Sequence, residues 1–297
     1  MAVDTSPDVR SLVIYQVFPR NHGPNGRLRD VTADIDRIAG LGVDVLYLLP
    51  IHPIGVRDRK GSAGSPYAVR DYRRLNPDLG SEAEFDELVA AAHGAGLRVM
   101  LDFVANHTAA DAVLLEEHPE FYRRDSAGRP YASVPEWSDI VDLDHPRADL
   151  SRYLIDSLAL WVRRGVDGFR CDVASLVPME FWNQARAELA ELRPGLLWLA
   201  ETGHPASVER RRAQGAPIPS DGELYEAFDI EYSYDTFSIW QSAVRGAEPV
   251  GRYLELLRWQ DGTLPVNYAK LRFVENHDNY RIMAFAPDLS LIHISEP

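Results

Sequence analysis

The sequence has one cysteine, Cys171, so no internal disulfide can brace it and its stability must come from packing. It has no excess of basic residues. The 31 Lys and Arg stand against 45 Asp and Glu, a net charge of −14. Such a surface argues against nucleic acid and against anionic membranes as partners. No apolar run reaches the ~20 residues of a membrane span. The opening stretch "MAVDTSPDVRSLVIY" lacks a basic region followed by a long apolar core. A cleaved secretion signal is therefore not expected, and the cytoplasm is the expected location. What is present is ordinary globular composition, 45% hydrophobic and 26% charged over 297 residues, enough for one large core or two modest ones.

Short apolar strand candidates alternate with amphipathic helical stretches. The strands are "LVIYQV" from Leu12, "VDVLYLL" from Val43, "LRVMLDFV" from Leu97, "VDGFRCDV" from Val166, "LLWLAE" from Leu196, "FDIEY" from Phe228 and "KLRFVE" from Lys270. Most are bounded by Gly, Pro, Asn or charged turns, as buried parallel strands are. Between them, "DVTADIDRIAGLG" sets Ile35, Ile38 and Leu41 on one helical face with Gly42 as a stop. "SEAEFDELVAAAHGAG" opens with the capping box Ser81 and Glu84. "DLSRYLIDSLALWVRRG" repeats apolar residues at helical spacing up to Gly165. Repeated strand–helix units predict a parallel α/β fold. Polar residues crowd the C-terminal ends of several strands. That favours a TIM-type (β/α)8 barrel over an open sheet, whose site would gather at one switch point. About seven βα units are visible, so the barrel is incomplete.

The connection after the third strand is too long for a simple loop. The domain reading is therefore residues 1–105 as the first part of the barrel, 106–146 as a small inserted domain, and 147–288 as the rest of the barrel without its last unit. Residues 289–297, "LSLIHISEP", do not continue the pattern and are read as a non-native tail.

Four strand ends carry the candidate chemistry: "DFVANH" with Asp102 and His107, "GFRCD" with Arg170 and Asp172, "LAETGH" with Glu201, and "FVENHD" with His277 and Asp278. Residues two apart in a strand share a face, so Arg170 and Asp172 point together while Cys171 faces the helices as a packed thiol. Paired carboxylates are what acetal hydrolysis needs, one to protonate the leaving oxygen and one to attack or stabilise the anomeric carbon. An adjacent arginine keeps the attacking acid ionised.

These blocks, with "IYQVFPR", "LYLLPIHPI" and "GSPYAVRDYRRLNPDLG", resemble glycoside hydrolase family 13, the α-amylase family, over nearly the whole chain. The resemblance implies that Asp172 is the nucleophile and Glu201 the general acid and base. Asp278 is then a third carboxylate that binds sugar hydroxyls, and Arg170 the partner of the nucleophile. His107 and His277 match hydroxyl-binding histidines, Tyr67 an aromatic platform under the sugar, and Asp102 a framework acid. The implied activity is retaining hydrolysis of α-glucosidic bonds in maltooligosaccharides or α-glucans, with no cofactor. Transglycosylation on the same scaffold, and a non-catalytic carbohydrate-binding relative, are the alternatives; retention of all three acids argues against the latter. An unrelated Schiff-base barrel would need a strand-end lysine, and Lys270 sits at the start of its strand.

The sequence departs from the family in three places. The Lys-His pair that many α-amylases carry after the nucleophile reads Ser175-Leu176. Asn106 matches one customary calcium ligand without its partner, and calcium needs six to eight oxygens, so no calcium is expected there. Val141 stands where many relatives have proline in the block that helps separate α-1,4 from α-1,6 linkages. In the insert, Trp137, Tyr131 and Tyr122 fit outer sugar platforms and the core of the insert equally well.

Overall fold

Four-residue strands cannot persist alone, and here they pair into one sheet. In the computed structural model, which describes residues 5–203 and 205–285, the nine strands are β1 (Ile14–Val17), β2 (Val45–Leu48), β3 (Arg98–Phe103), β4 (His107–Ala109), β5 (Ile140–Asp142), β6 (Gly168–Cys171), β7 (Leu197–Ala200), β8 (Ile230–Tyr232) and β9 (Lys270–Leu271). Seven form a sheet in the order β1-β2-β3-β6-β7-β8-β9, every neighbour parallel, while β4 and β5 make a separate antiparallel pair. The helices are α1 (Leu28–Thr32), α2 (Ile35–Gly40), α3 (Glu82–Gly94), α4 (Val113–Glu117), α5 (Ala148–Arg163), α6 (Met179–Leu192), α7 (Pro205–Ala213), α8 (Asp221–Leu224), α9 (Tyr234–Val244), α10 (Val250–Thr263) and α11 (Ile282–Phe285). The architecture is an incomplete (β/α)8 barrel whose strands are the seven expected. Residues 289–297 lie outside the described residues.

Strand alternation sorts the core into two layers. Val45, Tyr47, Met100, Leu197, Leu199, Ile230 and Tyr232 meet inside the barrel. Their chain neighbours Leu46, Leu48, Leu101, Phe169, Cys171 and Trp198 face outward and pack under the helices. Gly168 is required where β6 and β7 approach, since a Cβ there would sit 2.6 Å from the Leu197 carbonyl oxygen. The expected capping box opens α3: the Glu84 amide donates to Ser81 Oγ at 3.2 Å and the Ser81 amide to Glu84 Oε2 at 2.7 Å. One helix differs from expectation. The segment from Leu28 breaks into α1 and α2, and α2 ends at Gly40, which leaves Leu41 at the cap and exposed while Ile35 and Ile38 are buried.

After β3 the chain leaves the barrel, forms the β4–β5 pair and α4, and returns at α5. Trp137 packs against Ile54, Ala68, Ala109 and Ile140, a small cluster that ties this segment to the connection after β2.

Candidate active site

Arg170 is the hub. It projects from β6 into the barrel mouth, 1% exposed. One terminal nitrogen donates to Asp102 Oδ1 and to Asp172 Oδ1, both at 2.9 Å, and the other lies 3.0 Å from Glu201 Oε1. The guanidinium also lies 5.6 Å from the Tyr67 ring centre and 5.8 Å from that of Tyr232. The sequence pairs Arg170 with Asp172 alone; the structure divides it among three carboxylates from β3, the end of β6 and the end of β7. A fork with two separate terminal nitrogens makes that possible, and a lysine ammonium would not span the same geometry.

The segment joining β6 to the next helix holds the second acid. Val173 has φ +38° and ψ +46°, a left-handed conformation that a β-branched residue adopts only under constraint. The twist aims the Val173 amide at Glu201 Oε2, 2.7 Å away. Reciprocally, the Glu201 amide donates to the Cys171 carbonyl at 3.0 Å, and the Ala174 amide to the Glu201 carbonyl at 3.1 Å. The two strand ends are thus stitched together around the acids.

Charge is crowded here. Burial, then the neighbouring Glu201, pushes the Asp172 carboxyl well above the usual carboxylate range; Arg170 opposes this and Asp102 adds to it. One cation thus faces three carboxylates in the barrel mouth. Burial also lowers Arg170, but Asp102 and Glu201 outweigh it and keep the guanidinium charged.

His107, at the start of β4, lies with Nε2 4.0 Å from Asp172 Oδ2. The Asn106 amide nitrogen stands 3.1 Å from its Nδ1. An amide nitrogen only donates, so the ring proton belongs on Nε2, facing Asp172. Burial lowers His107 to about 4 and keeps it neutral. Tyr67 donates to Asp102 Oδ2 at 2.9 Å, and its ring stacks on His277 at 5.5 Å between centres. Asp278 stands across the mouth, its side chain 46% exposed; its Oδ2 lies 3.3 Å from His277 Nε2 and accepts from the Tyr234 hydroxyl at 3.4 Å. A cleft of about 330 Å3 opens between Glu201 and Asp278, also lined by Trp137, Ser175, Leu176 and Tyr234. That volume suits a small ligand.

The seven candidate residues therefore converge, with Asp278 the outermost. Sequence reasoning missed four groups. Tyr47, whose hydroxyl bonds Asp102 Oδ2, is legible in retrospect as the one polar tip on the inner face of β2. Tyr232 and Tyr234 lie near β8, where three strand residues offer too short a period to read. Val173 gave no signal, because nothing in its side chain favours a positive φ. The insert aromatics separate: Tyr122 is buried with its hydroxyl 3.0 Å from that of Thr108, Trp137 faces the cleft 5.5 Å from the His107 ring, and Tyr131 is exposed.

Asn106 is buried beside His107. Its amide is turned to His107, and the nearby Asp139 is paired with the Lys60 ammonium at 3.0 Å. Among the described residues no cluster of three or more His, Cys, Asp or Glu side chains could hold a metal ion. No helix among them is long and apolar enough to cross a membrane.

The family model described as "Alpha amylase, catalytic domain" matches residues 10–133 and 130–294. An alpha-amylase from Lactobacillus plantarum superposes with a TM-score of 0.91 at 48% identity, covering 94% of this chain and 66% of that one. A noncanonic maltogenic alpha-amylase from Thermotoga neapolitana superposes at 0.85 with 38% identity, covering 97% and 64%. An alpha-1,4-glucan:maltose-1-phosphate maltosyltransferase from Arcanobacterium haemolyticum is 34% identical over 225 residues, 65% of this chain and 32% of its own length. This chain thus spans about a third of that relative. The matched barrel with its seven parallel strands, and the family model running along both its halves, establish that the chain belongs to the alpha-amylase family.

Proposed function

We propose that this chain carries the catalytic centre of a retaining enzyme that hydrolyses α-glucosidic bonds in maltooligosaccharides or α-glucans. Asp172 attacks the anomeric carbon while Glu201 protonates the departing glycosidic oxygen, and a covalent glycosyl-enzyme forms on Asp172. Glu201, now a carboxylate, takes a proton from water as that water attacks the same carbon, and the Asp172 ester bond breaks. Asp278 and His277 bind sugar hydroxyls from one side, His107 from the other, and Tyr67 stacks beneath the ring.

The observation that carries this reading is the bridging of Asp172 and Glu201 by the two ends of one guanidinium, at 2.9 and 3.0 Å. Acids held that closely favour the ~5–5.5 Å separation of a retaining pair over the ~6.5–9.5 Å of an inverting one. At rest Glu201 contacts the Arg170 guanidinium and the Val173 amide. Its protonated form must turn toward the cleft, where the leaving oxygen would lie.

Transfer to a sugar acceptor is the second reading. The maltosyltransferase relatives favour it, and both outcomes share the glycosyl-enzyme. The test is incubation of the full-length protein with maltotriose. Hydrolysis gives glucose and maltose, and transfer gives longer oligosaccharides. Asp172→Asn and Glu201→Gln should each lower kcat by several orders of magnitude, given that acid–base help alone contributes roughly 10²–10⁴-fold. Undiminished turnover in both variants would refute the assignment.

A further inference from the structure

His277 is held from both sides of its ring. Gln16, in β1, brings its amide nitrogen to 2.8 Å from His277 Nδ1. That nitrogen has protons and no lone pair to accept with, so Nδ1 accepts and the ring proton belongs on Nε2. Two contacts on the far side agree. Nε2 lies 3.3 Å from Asp278 Oδ2, a carboxylate oxygen that only accepts. Nε2 also lies 2.6 Å from the Tyr67 hydroxyl, whose own proton is directed to Asp102 Oδ2 at 2.9 Å. The hydrogen bonds therefore run one way, from Gln16 through His277 and Tyr67 to Asp102. With the proton on Nδ1 instead, two donors would collide at Gln16 and two lone pairs at Asp278.

We propose that Gln16 is a positioning residue for the glycosidic reaction: its amide locks His277 in the Nε2–H form, so that the one Nε2 proton, held at rest by the Tyr67 hydroxyl and Asp278, can turn to an oxygen of the sugar bound beside Asp278. Gln16 touches no reacting atom and acts through His277. The proposal rests on the reading that this cleft holds a pyranose. The charged and titratable groups facing the ring are Asp278 from its own segment, Tyr67 from the connection after β2, Asp102 from β3, Arg170 from β6 and Glu201 from the end of β7. Among the described residues, Gln16 alone meets Nδ1. Burial already lowers the imidazole below its ordinary value, so the neutral ring is the working form and its tautomer decides what it offers.

The decisive variant is Gln16→Glu, which keeps the size and shape of the side chain and replaces its donor by an acceptor. Nδ1 must then carry a proton, and the ring becomes an imidazolium between two carboxylates. On raising the pH, the proton that leaves is the one on Nε2, and the donor to the sugar goes with it. Nitrogen-15 spectra of the full-length protein, with His277→Asn to identify the signals, should show a bare Nδ1 and a protonated Nε2. In Gln16→Glu both nitrogens should be protonated at neutral pH. Its kcat/KM should fall above neutral pH along a limb the parent lacks, by about tenfold or more. Gln16→Met, which removes the donor alone, should lose about five- to tenfold in kcat/KM without that limb, the worth of one hydrogen bond. A protonated Nδ1 in the parent protein would overturn the proposal, as would a Gln16→Glu variant with the parent's ring state and pH profile. The spectra need no turnover. The expected ring states in a protein inactive on every α-glucan would sink the catalytic role and the functional reading together, while a wrong tautomer in an active enzyme would sink the role of Gln16 alone.

Discussion

Asp172 shows what the site costs the fold. Its carboxyl is raised by burial and by Glu201, with Arg170 opposing. A carboxyl whose folded pKa lies above its unfolded value of ~3.9 contributes stability in the protonated state. That contribution is full below the unfolded pKa and is lost as pH rises through the folded one. At neutral pH the ionised cluster is therefore a burden on the fold. Asp172→Asn, which keeps the shape and an acceptor for Arg170, should raise stability at pH 7 by about 1 kcal/mol, a Tm gain of roughly 2–4 °C for a chain of this size, while kcat collapses. The gain should shrink as the pH is lowered and Asp172 itself takes up a proton. An Asp172→Asn protein that melts below the parent at pH 7 would contradict this. The pair Arg170–Asp172 was legible because strand alternation has a period of two and both residues are charged in an apolar run. The grip of Val173 on Glu201 was not, because it depends on a backbone twist that the tertiary structure imposes against the preference of a valine.

At the scale of elements, the strands were legible from apolar runs bounded by turn residues. The short β4–β5 pair was not, since three residues on each side carry no readable period and their pairing is decided by what surrounds them. That pair mounts His107 opposite Asp142 and so sets one wall of the site. It is too short to persist unaided, and one of its outside ties is ionic. Lys60, in the connection after β2, lies 3.0 Å from Asp139 Oδ1 and donates to the Glu136 carbonyl at 2.6 Å. The Asp139 side chain is only 5% exposed, so removing the ammonium leaves a buried carboxylate without a counter-charge. Lys60→Met should weaken the inserted segment by about 1–3 kcal/mol. Limited proteolysis between residues 123 and 138 should accelerate by about tenfold or more, the ratio that 1.4 kcal/mol produces. A chelator added to the parent protein should change neither proteolysis nor Tm. Acceleration by chelator, with Lys60→Met behaving as the parent does, would show that a divalent ion holds the segment in place of the lysine.

Across the whole molecule, packing is uneven along the chain. In α5 nine positions are buried, including Leu154, Leu158 and Trp161, whereas in α10 only Gln260 is. Val250, Leu254 and Trp259 of α10 are exposed, Trp259 to 59%, and Val266 beyond it to 94%. Val274 and Met283 continue the pattern. The sheet is open at the same end: β1 and β9 each have one strand neighbour among the described residues, and β9 is two residues long. The seven strands of the sheet were legible in the sequence. The bare face of α10 was not, because its sequence has an ordinary amphipathic content and only the neighbours decide what is covered. An uncovered apolar face beside an unpaired strand edge is a surface that recruits other chains. The 297-residue chain on its own should therefore self-associate, eluting well above its 33.4 kDa monomer in size-exclusion chromatography with light scattering. Leu254→Glu together with Trp259→Glu should restore much of the monomer without touching the acids at the barrel mouth, because neither residue lines the cleft there. A parent chain that runs as a monodisperse monomer and unfolds in one cooperative step would mean that this face is closed by contacts within the chain itself.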